Sequence, residues 1–267
     1  VRLHHVHEVR YSDLDVNNHV NNVRAVELIS DALDLYKQPG FVSELQVNYT
    51  AETACGESLS LLTGTADSVT YELADAEGQV LATAEGLGTV QLAANGITPW
   101  TPETPALYTL RVTVTANGTA DTAEQRIGIR TIQVSSKTGL LLNGQPRTMK
   151  GGCIHHDLGI LGAADHAAAE RRRIRLMKES GFDAIRAAHN PFGPAFLDAC
   201  DELGMLVVEE AFDEWVMGRT SFGLHVTFEQ CWEKDLEDMI TRDYNHPCIV
   251  MWSTGNEVEE RDGTADG

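Results

Sequence analysis

Residues 184–210 read Ala184-Ile185-Arg186-Ala187-Ala188-His189-Asn190-Pro191, then a helical run over Ala195–Leu203 closed by Gly204, then Met205-Leu206-Val207-Val208-Glu209-Glu210. Two short apolar runs without alternation, on either side of a helix, predict parallel strands covered on both faces. The same rhythm extends outward. Met149–Ile154 reads as a strand, Ala167–Ser180 as a helix with Ile174 and Met177 on one face, Phe228–Tyr244 as a long helix and Ile249–Trp252 as a fourth strand. Alternating β and α elements with apolar strands predict a parallel sheet under helices, and four such strands make half of a (β/α)8 barrel. Polar residues gather just past the strands: His155-His156-Asp157, His189-Asn190, Glu209-Glu210 and Asn256-Glu257. Barrel enzymes place their chemistry at those strand ends.

Toward the N-terminus the pattern becomes antiparallel. Tyr108–Thr115, the turn Asn117-Gly118 and Glu124–Val134 read as a hairpin, and a second Asn-Gly, Asn143-Gly144, follows Leu140–Leu142. Pro99-Trp100-Thr101-Pro102 and Pro105 punctuate the approach. These strands are too few to close two sheets, so the stretch reads as part of a β-sandwich. Before it, a polar loop over Ser12 to Asn22 leads into a helix over Val23–Tyr36, with Val26, Ile29, Leu33 and Tyr36 on one face. Strands over Val42–Thr50, Ser58–Thr65, Val69–Leu73 and Val80–Ala84 follow, an α+β arrangement of a helix and a sheet.

The 267 residues carry 40 acidic and 20 basic side chains, a net charge of −20. A field of that sign repels phosphate backbones and anionic lipid, which argues against nucleic-acid and membrane-surface binding. No apolar run is long enough to span a bilayer. Five cysteines without a CxxC spacing fit a reducing cytoplasm rather than a disulfide framework or zinc ribbon. The start, Val1-Arg2-Leu3-His4-His5, lacks an initiator Met and a signal-peptide pattern, and reads as cut from something longer.

Three constellations carry candidate chemistry. Asn256-Glu257 follows an apolar strand directly, and a carboxyl at such a strand mouth can serve as a general acid. The alternative is a solvated surface glutamate, since Glu259 and Glu260 lie close by. His155-His156-Asp157 has metal-ligand residue types, but adjacent strand residues point to opposite faces, so lining of an active site is favoured over a shared ion. Asp15, Asn17 and His19 crowd the start of the Val23–Tyr36 helix, and Glu52 lies downstream on a strand. They could activate a water for acyl transfer near helix N-terminal amides, or they could be a turn that caps the helix.

Larger motifs add a resemblance. Pro99-Trp100-Thr101-Pro102-Glu103-Thr104-Pro105, Gly128-Ile129-Arg130, Lys150-Gly151-Gly152-Cys153-Ile154-His155-His156-Asp157, Phe182-Asp183-Ala184-Ile185-Arg186, Arg242-Asp243-Tyr244-Asn245-His246-Pro247 and Asn256-Glu257 follow one another in order. From about Leu92 onward the chain resembles glycoside hydrolase family 2, the β-galactosidase and β-glucuronidase group. The resemblance implies a partial immunoglobulin-like β-sandwich over 91–135 and the N-terminal half of a glycosidase barrel over 136–267. It implies a retaining hydrolase acting on a β-galactoside or related saccharide, with Glu257 as acid/base. Asn256, His189, Arg186, His155 and Asp213 would bind substrate. The family's nucleophile lies on a later strand, so the resemblance implies a chain without glycosidase activity of its own. The family's magnesium-binding Glu-x-His is also broken: Glu214 is present, but Val216 stands where the histidine would be. No metal or cofactor is expected.

The run Asp15-Val16-Asn17-Asn18-His19-Val20-Asn21-Asn22, with Tyr49-Thr50-Ala51-Glu52 downstream, resembles the C-terminal hot-dog domain of acyl-acyl-carrier-protein thioesterases over about 1–90. That likeness makes Asp15, Asn17, His19 and Glu52 the catalytic group and an acyl-acyl carrier protein of fatty acid synthesis the partner. The whole reads as a multidomain α+β and α/β chimera. The open edges of its half-barrel invite self-association.

Overall fold

The computed structural model describes residues 2–8, 58–63, 67–87, 89–116 and 118–258. The helix expected over Val23–Tyr36 and the residues Asp15, Asn17, His19 and Glu52 lie outside them. The described residues divide into two compact units, one drawn from Val1–Thr70, Glu85–Val90 and Thr113–Thr122, the other from Tyr71–Ala84, Gln91–Val112 and Ala123–Gly267. No helix among the described residues is long and apolar enough to cross a membrane.

Strand β1 (Arg2–Glu8) pairs antiparallel with β2 (Ser58–Thr63), Glu8 opposite Ser58 and Arg2 opposite Thr63. Strands β3 (Ser68–Ala74), β4 (Val80–Glu85), β5 (Tyr108–Ala116) and β6 (Thr119–Ile127) form a sheet in the order β4-β3-β5-β6. The turn between β3 and β4 is closed by Asp75, whose Oδ1 accepts the N–H groups of Glu77 and Gln79. Leu73, Ala82 and Tyr108 form a small core, while β6 is exposed along almost its whole length. Strands β7 (Ile132–Ser135), β8 (Gly139–Leu142) and β9 (Gln145–Pro146) make a small antiparallel sheet. The β8–β9 turn has Asn143 and Gly144 both at positive φ, the type I′ geometry that Asn-Gly favours.

The strand expected over Glu124–Val134 is broken at 128–131. The cause is tertiary. Gly128 lies so close to Pro247 and Trp100 that a Cβ would collide with the proline ring. Arg130 meanwhile donates to the carbonyls of Pro247 and Ile249, both at 2.6 Å, which takes the segment out of the β-ladder.

The second half alternates as expected: β10 (Gly151–Ile154), α1 (Ala167–Glu179), β11 (Ala184–Ala187), α2 (Pro194–Leu203), β12 (Leu206–Glu210), α3 (Phe228–Asp243) and β13 (Ile249–Ser253). All neighbours are parallel, in the order β10-β11-β12-β13, with β10 and β13 the outer strands among the described residues. Helix α2 opens with Pro194 in its first turn and ends at Gly204, whose φ of 72° is the left-handed cap that glycine adopts without strain. Gly204 also packs against the Pro102 backbone, where no side chain would fit. Ile174, Ile185, Phe196, Leu197, Met205 and Ile249 fill the space between sheet and helices, each contributing roughly 1.5–3 kcal/mol relative to exposure. Trp100 is fully buried in that core and donates its indole N–H to Asp201 O at 2.9 Å. The Pro99–Pro105 segment is thereby anchored on α2.

Candidate active site

The carboxyl ends of β11, β12 and β13 converge on Glu210. Its side chain is 1% exposed. The Arg186 guanidinium donates to both of its oxygens at 2.8–3.0 Å. Ser253 Oγ donates to Oε2 at 2.8 Å, and His189 Nδ1 lies 2.8 Å from Oε1. Register explains the meeting, because Glu210 pairs with Ser253 across β12–β13 and Arg186 sits one strand away on β11. Burial alone would push the Glu210 carboxyl up, but the hydrogen bonds from Arg186, His189 and Ser253 hold it below the usual carboxylate range. An ionised Glu210 makes His189 Nδ1 the protonated nitrogen and leaves Nε2 to a ligand.

Asn256 extends this cluster. It is 5% exposed, and its Oδ1 accepts from Arg186 at 2.8 Å while its Nδ2 donates to Asp213 at 3.1 Å. Its backbone N–H donates to Phe212 O, which ties the 254–257 segment to the end of β12. Glu257 follows at φ 47°, a left-handed conformation rare for a residue with a side chain. The apolar surroundings expected at this strand mouth are not supplied, since the Glu257 side chain is 80% exposed. Beyond edge strand β13, nothing among the described residues covers it.

The connection after β12 adds a second layer. Glu214, 4% exposed, accepts the N–H groups of Arg219 (2.7 Å) and His225 (3.1 Å) and lies 2.9 Å from His225 Nδ1. These backbone and histidine donors lower its carboxyl to about 2. Gly218 and Gly223 lie so close to the His225 ring and the Glu214 carboxylate that a Cβ at either would push those groups aside. Both Glu214 oxygens are thus committed to protein donors, and the residues present do not fit the family's magnesium ion.

His155 and His156 do point apart. His155 meets His189 edge-on at 5.1 Å between ring centroids. His156 stacks on Phe192 and hydrogen-bonds Pro191 O. Asp201, His246 and Cys248 form the one cluster of metal-ligand residue types among the described residues. There, however, the Asp201 oxygens are taken by His246 Nδ1 at 2.6 Å and the Cys248 N–H at 2.9 Å. Burial, reinforced by Asp201, pushes the Cys248 thiol well up, away from the thiolate a metal needs. The cluster is a lock between α2 and the start of β13.

The structure therefore brings together Arg186, His189, Asp213, Asn256 and Glu257, with His155 beside His189. Sequence reasoning assigned no role to Glu210, Ser253 or Arg219. Glu210 had a signal in the paired Glu209-Glu210 at the end of an apolar strand. Ser253 and Arg219 had none.

Residues 132–266, just over half of the chain, match the family model of the glycosyl hydrolases family 2 TIM barrel domain. Residues 2–88 match that of the acyl-ACP thioesterase C-terminal domain. The beta-galactosidase BoGH2A of Bacteroides ovatus is 38% identical over 230 residues, covering 84% of this chain and 27% of that protein. A beta-galactosidase of Vibrio cholerae is 32% identical, covering 71% of this chain and 20% of its own. Among solved structures, a glycosyl hydrolase family 2 member from Bacteroides cellulosilyticus superposes with a TM-score of 0.70 at 38% identity, over 74% of this chain and 27% of that one. A β-glucuronidase from Ruminococcus gnavus, solved with uronic deoxynojirimycin, gives 0.65 at 30% identity over 76% and 34%. The chain spans about a quarter of the length of the curated relatives it matches. The 84% shared with the B. ovatus protein is more than residues 92–267 alone can supply, so that likeness runs back into the first 91 residues.

Proposed function

This chain belongs to glycosyl hydrolase family 2, and from that premise we propose that it carries the acid/base half of a retaining β-galactosidase-like site that works in carbohydrate breakdown. The observation that carries this reading is the Arg186–Glu210–His189–Asn256–Asp213 network, which presents Glu257 at the mouth of β13. On this reading Glu257 moves the proton to and from the glycosidic oxygen. Asn256 and His189 hold the sugar ring, and His155 lines the site beside them. Arg186 and Asp213 orient those two residues.

A retaining hydrolase needs a second carboxylate as nucleophile, about 5–5.5 Å from the acid/base. Glu210 is bound by Arg186, His189 and Ser253, and Asp213 by Asn256 and Arg219, so both are occupied in holding the site. On this reading the described residues bind saccharide, and neither Glu210 nor Asp213 serves as the nucleophile. Calorimetric titration with methyl β-galactoside and methyl β-glucuronide is expected to show saturable binding that His189→Ala weakens at least tenfold. Nitrophenyl β-glycosides are expected to show no turnover that depends on Glu257. Absence of any saccharide binding would overturn the glycosidase reading, and turnover abolished by Glu257→Gln would overturn the half-site.

Strands β5 and β6 correspond on this reading to the end of an immunoglobulin-like sandwich, and the joint with the hot-dog-like segment falls within 66–92, where the two likenesses overlap. The support is the reach of the B. ovatus likeness and the pairing of β3 and β4 with β5 and β6 in one sheet. The exposed edges β10 and β13 favour self-association, which light scattering reads directly. Cysteines without paired spacing support a cytoplasmic location.

The match over residues 2–88 favours a second activity, thioester hydrolysis of an acyl-acyl carrier protein by Asp15, Asn17, His19 and Glu52. Wild type, His19→Ala and Glu52→Ala assayed on such a thioester decide it. Equal rates in all three would leave the segment without that chemistry.

A further inference from the structure

We propose that Arg219 is a positioning residue for Asn256-Glu257, a guanidinium on the connection after β12 that holds the acid/base segment in place. The proposal rests on the glycosidase reading only in giving Glu257 its role. Its geometry is independent of that.

Arg219 lies on the connection between β12 and α3, 37 and 38 positions before the residues it holds. Its Nη2 donates to the carbonyls of both Asn256 (2.5 Å) and Glu257 (2.9 Å). Its Nη1 is 3.3 Å from Asp213 Oδ1 and 3.7 Å from Glu257 Oε2. One planar fork thus spans two consecutive carbonyls and two carboxylates, a geometry a lysine's point charge cannot copy. The Asp213 oxygen that Arg219 approaches also accepts Asn256 Nδ2, so loop and side-chain amide are fixed together.

Two further features aim the guanidinium. Glu214 binds the Arg219 N–H and clasps His225, with Gly218 and Gly223 packed against the clasp, so the 214–225 loop is pinned at its centre. Glu257 at φ 47° also needs support from outside its own segment, because a residue with a side chain does not hold that conformation unaided. The carbonyl bonds from Arg219 supply that support. Glu214, the position that matches the family's metal-binding glutamate, has both oxygens hydrogen-bonded to the protein, and Val216 offers no second ligand beside it.

The test reads the loop rather than turnover. Amide exchange over 254–257 is measured in the full chain for wild type, Arg219→Ala and Arg219→Lys, with Trp215 emission as a second signal because its indole N–H donates to Thr254 O at 2.9 Å. Arg219→Ala is expected to speed exchange there at least tenfold and to shift Trp215 emission, while exchange in β11 and α2 stays as in wild type. Arg219→Lys is expected to recover part of that protection. Mn2+ is expected not to bind the wild type in any way that Glu214→Gln abolishes. Unchanged exchange at 254–257 in Arg219→Ala, or saturable wild-type Mn2+ binding lost in Glu214→Gln, would overturn the proposal. Saccharide titration fails separately if the glycosidase reading is wrong, so the two failures are distinguishable.

Discussion

Glu209 and Glu210 are neighbours on β12, both essentially inaccessible to solvent, and they face opposite sides of the sheet. Glu210 looks toward the site and meets three donors, two of them side chains that can carry positive charge. Glu209 looks toward the helices. Its Oε1 accepts only the Phe192 N–H, and its Oε2 is buried without a partner. Burial, with the Asp243 charge nearby, raises the Glu209 carboxyl to about 8 despite the Phe192 bond and the pull of Arg242 and His246. One strand thus carries an ionised glutamate on its working face and a neutral one on its packing face. Donors, not residue type, decide the charge state.

Removing Glu210 should break this contrast most severely. Glu210→Ala leaves Arg186 and His189 facing a site with no anion, and such loss of one partner of a buried pair costs about 3 kcal/mol. Arg186 is one-third exposed and can recruit water, which keeps the cost at the lower end of that range. Urea unfolding at pH 7 measures it. A loss below about 1 kcal/mol would mean that the working face does not depend on its anion.

Glu209→Gln should act in the opposite direction and only where the wild type must ionise. The Glu209 pKa is raised in the folded state, so its contribution is fully present below about pH 4.5 and is lost as pH rises toward about 8. Each pH unit in that window removes roughly 1.4 kcal/mol. His246 slopes the same way: burial pulls its pKa down, but the Asp201 hydrogen bond and charge raise it on balance. Glu209→Gln should therefore be more stable relative to wild type at pH 7.5 than at pH 6, by about 2 kcal/mol. Parallel pH profiles of the two proteins would contradict a neutral Glu209.

The contrast on β12 also marks how far the sequence could be read. Strands β10–β13 and helices α1–α3 fall within two residues of their expected bounds, because apolar runs, Pro194 and Gly204 are local signals. The break at 128–131 was not legible, since it depends on Pro247 and Ile249 more than 115 positions away. The site divides in the same way. Asn256, His189 and Arg186 sit in motifs that point to them. Arg219 and Ser253 matter only through partners that the fold brings near. The exposure of Glu257 likewise follows from its place beyond an edge strand, which no local pattern encodes.

The smallest effect should come from Ser253→Ala, and it tests whether the working face is held by charge or by packing. Ser253 Oγ supplies one donor to Glu210 Oε2, while Arg186 and His189 keep theirs. A single hydrogen bond to an ionised acceptor that retains other partners is worth about 1 kcal/mol. The Glu210 pKa is lowered in the folded state, so its contribution is present above the unfolded value near 4.5 and is lost as pH falls through the folded value. The Ser253→Ala deficit should accordingly be full at pH 7 and shrink toward zero once Glu210 takes up its proton. Unfolding compared at pH 7 and in acid separates the two explanations. An equal deficit at both would mean that the hydroxyl fills space on β13 rather than serving the Glu210 charge, and that the two glutamates of β12 differ less than their donors suggest.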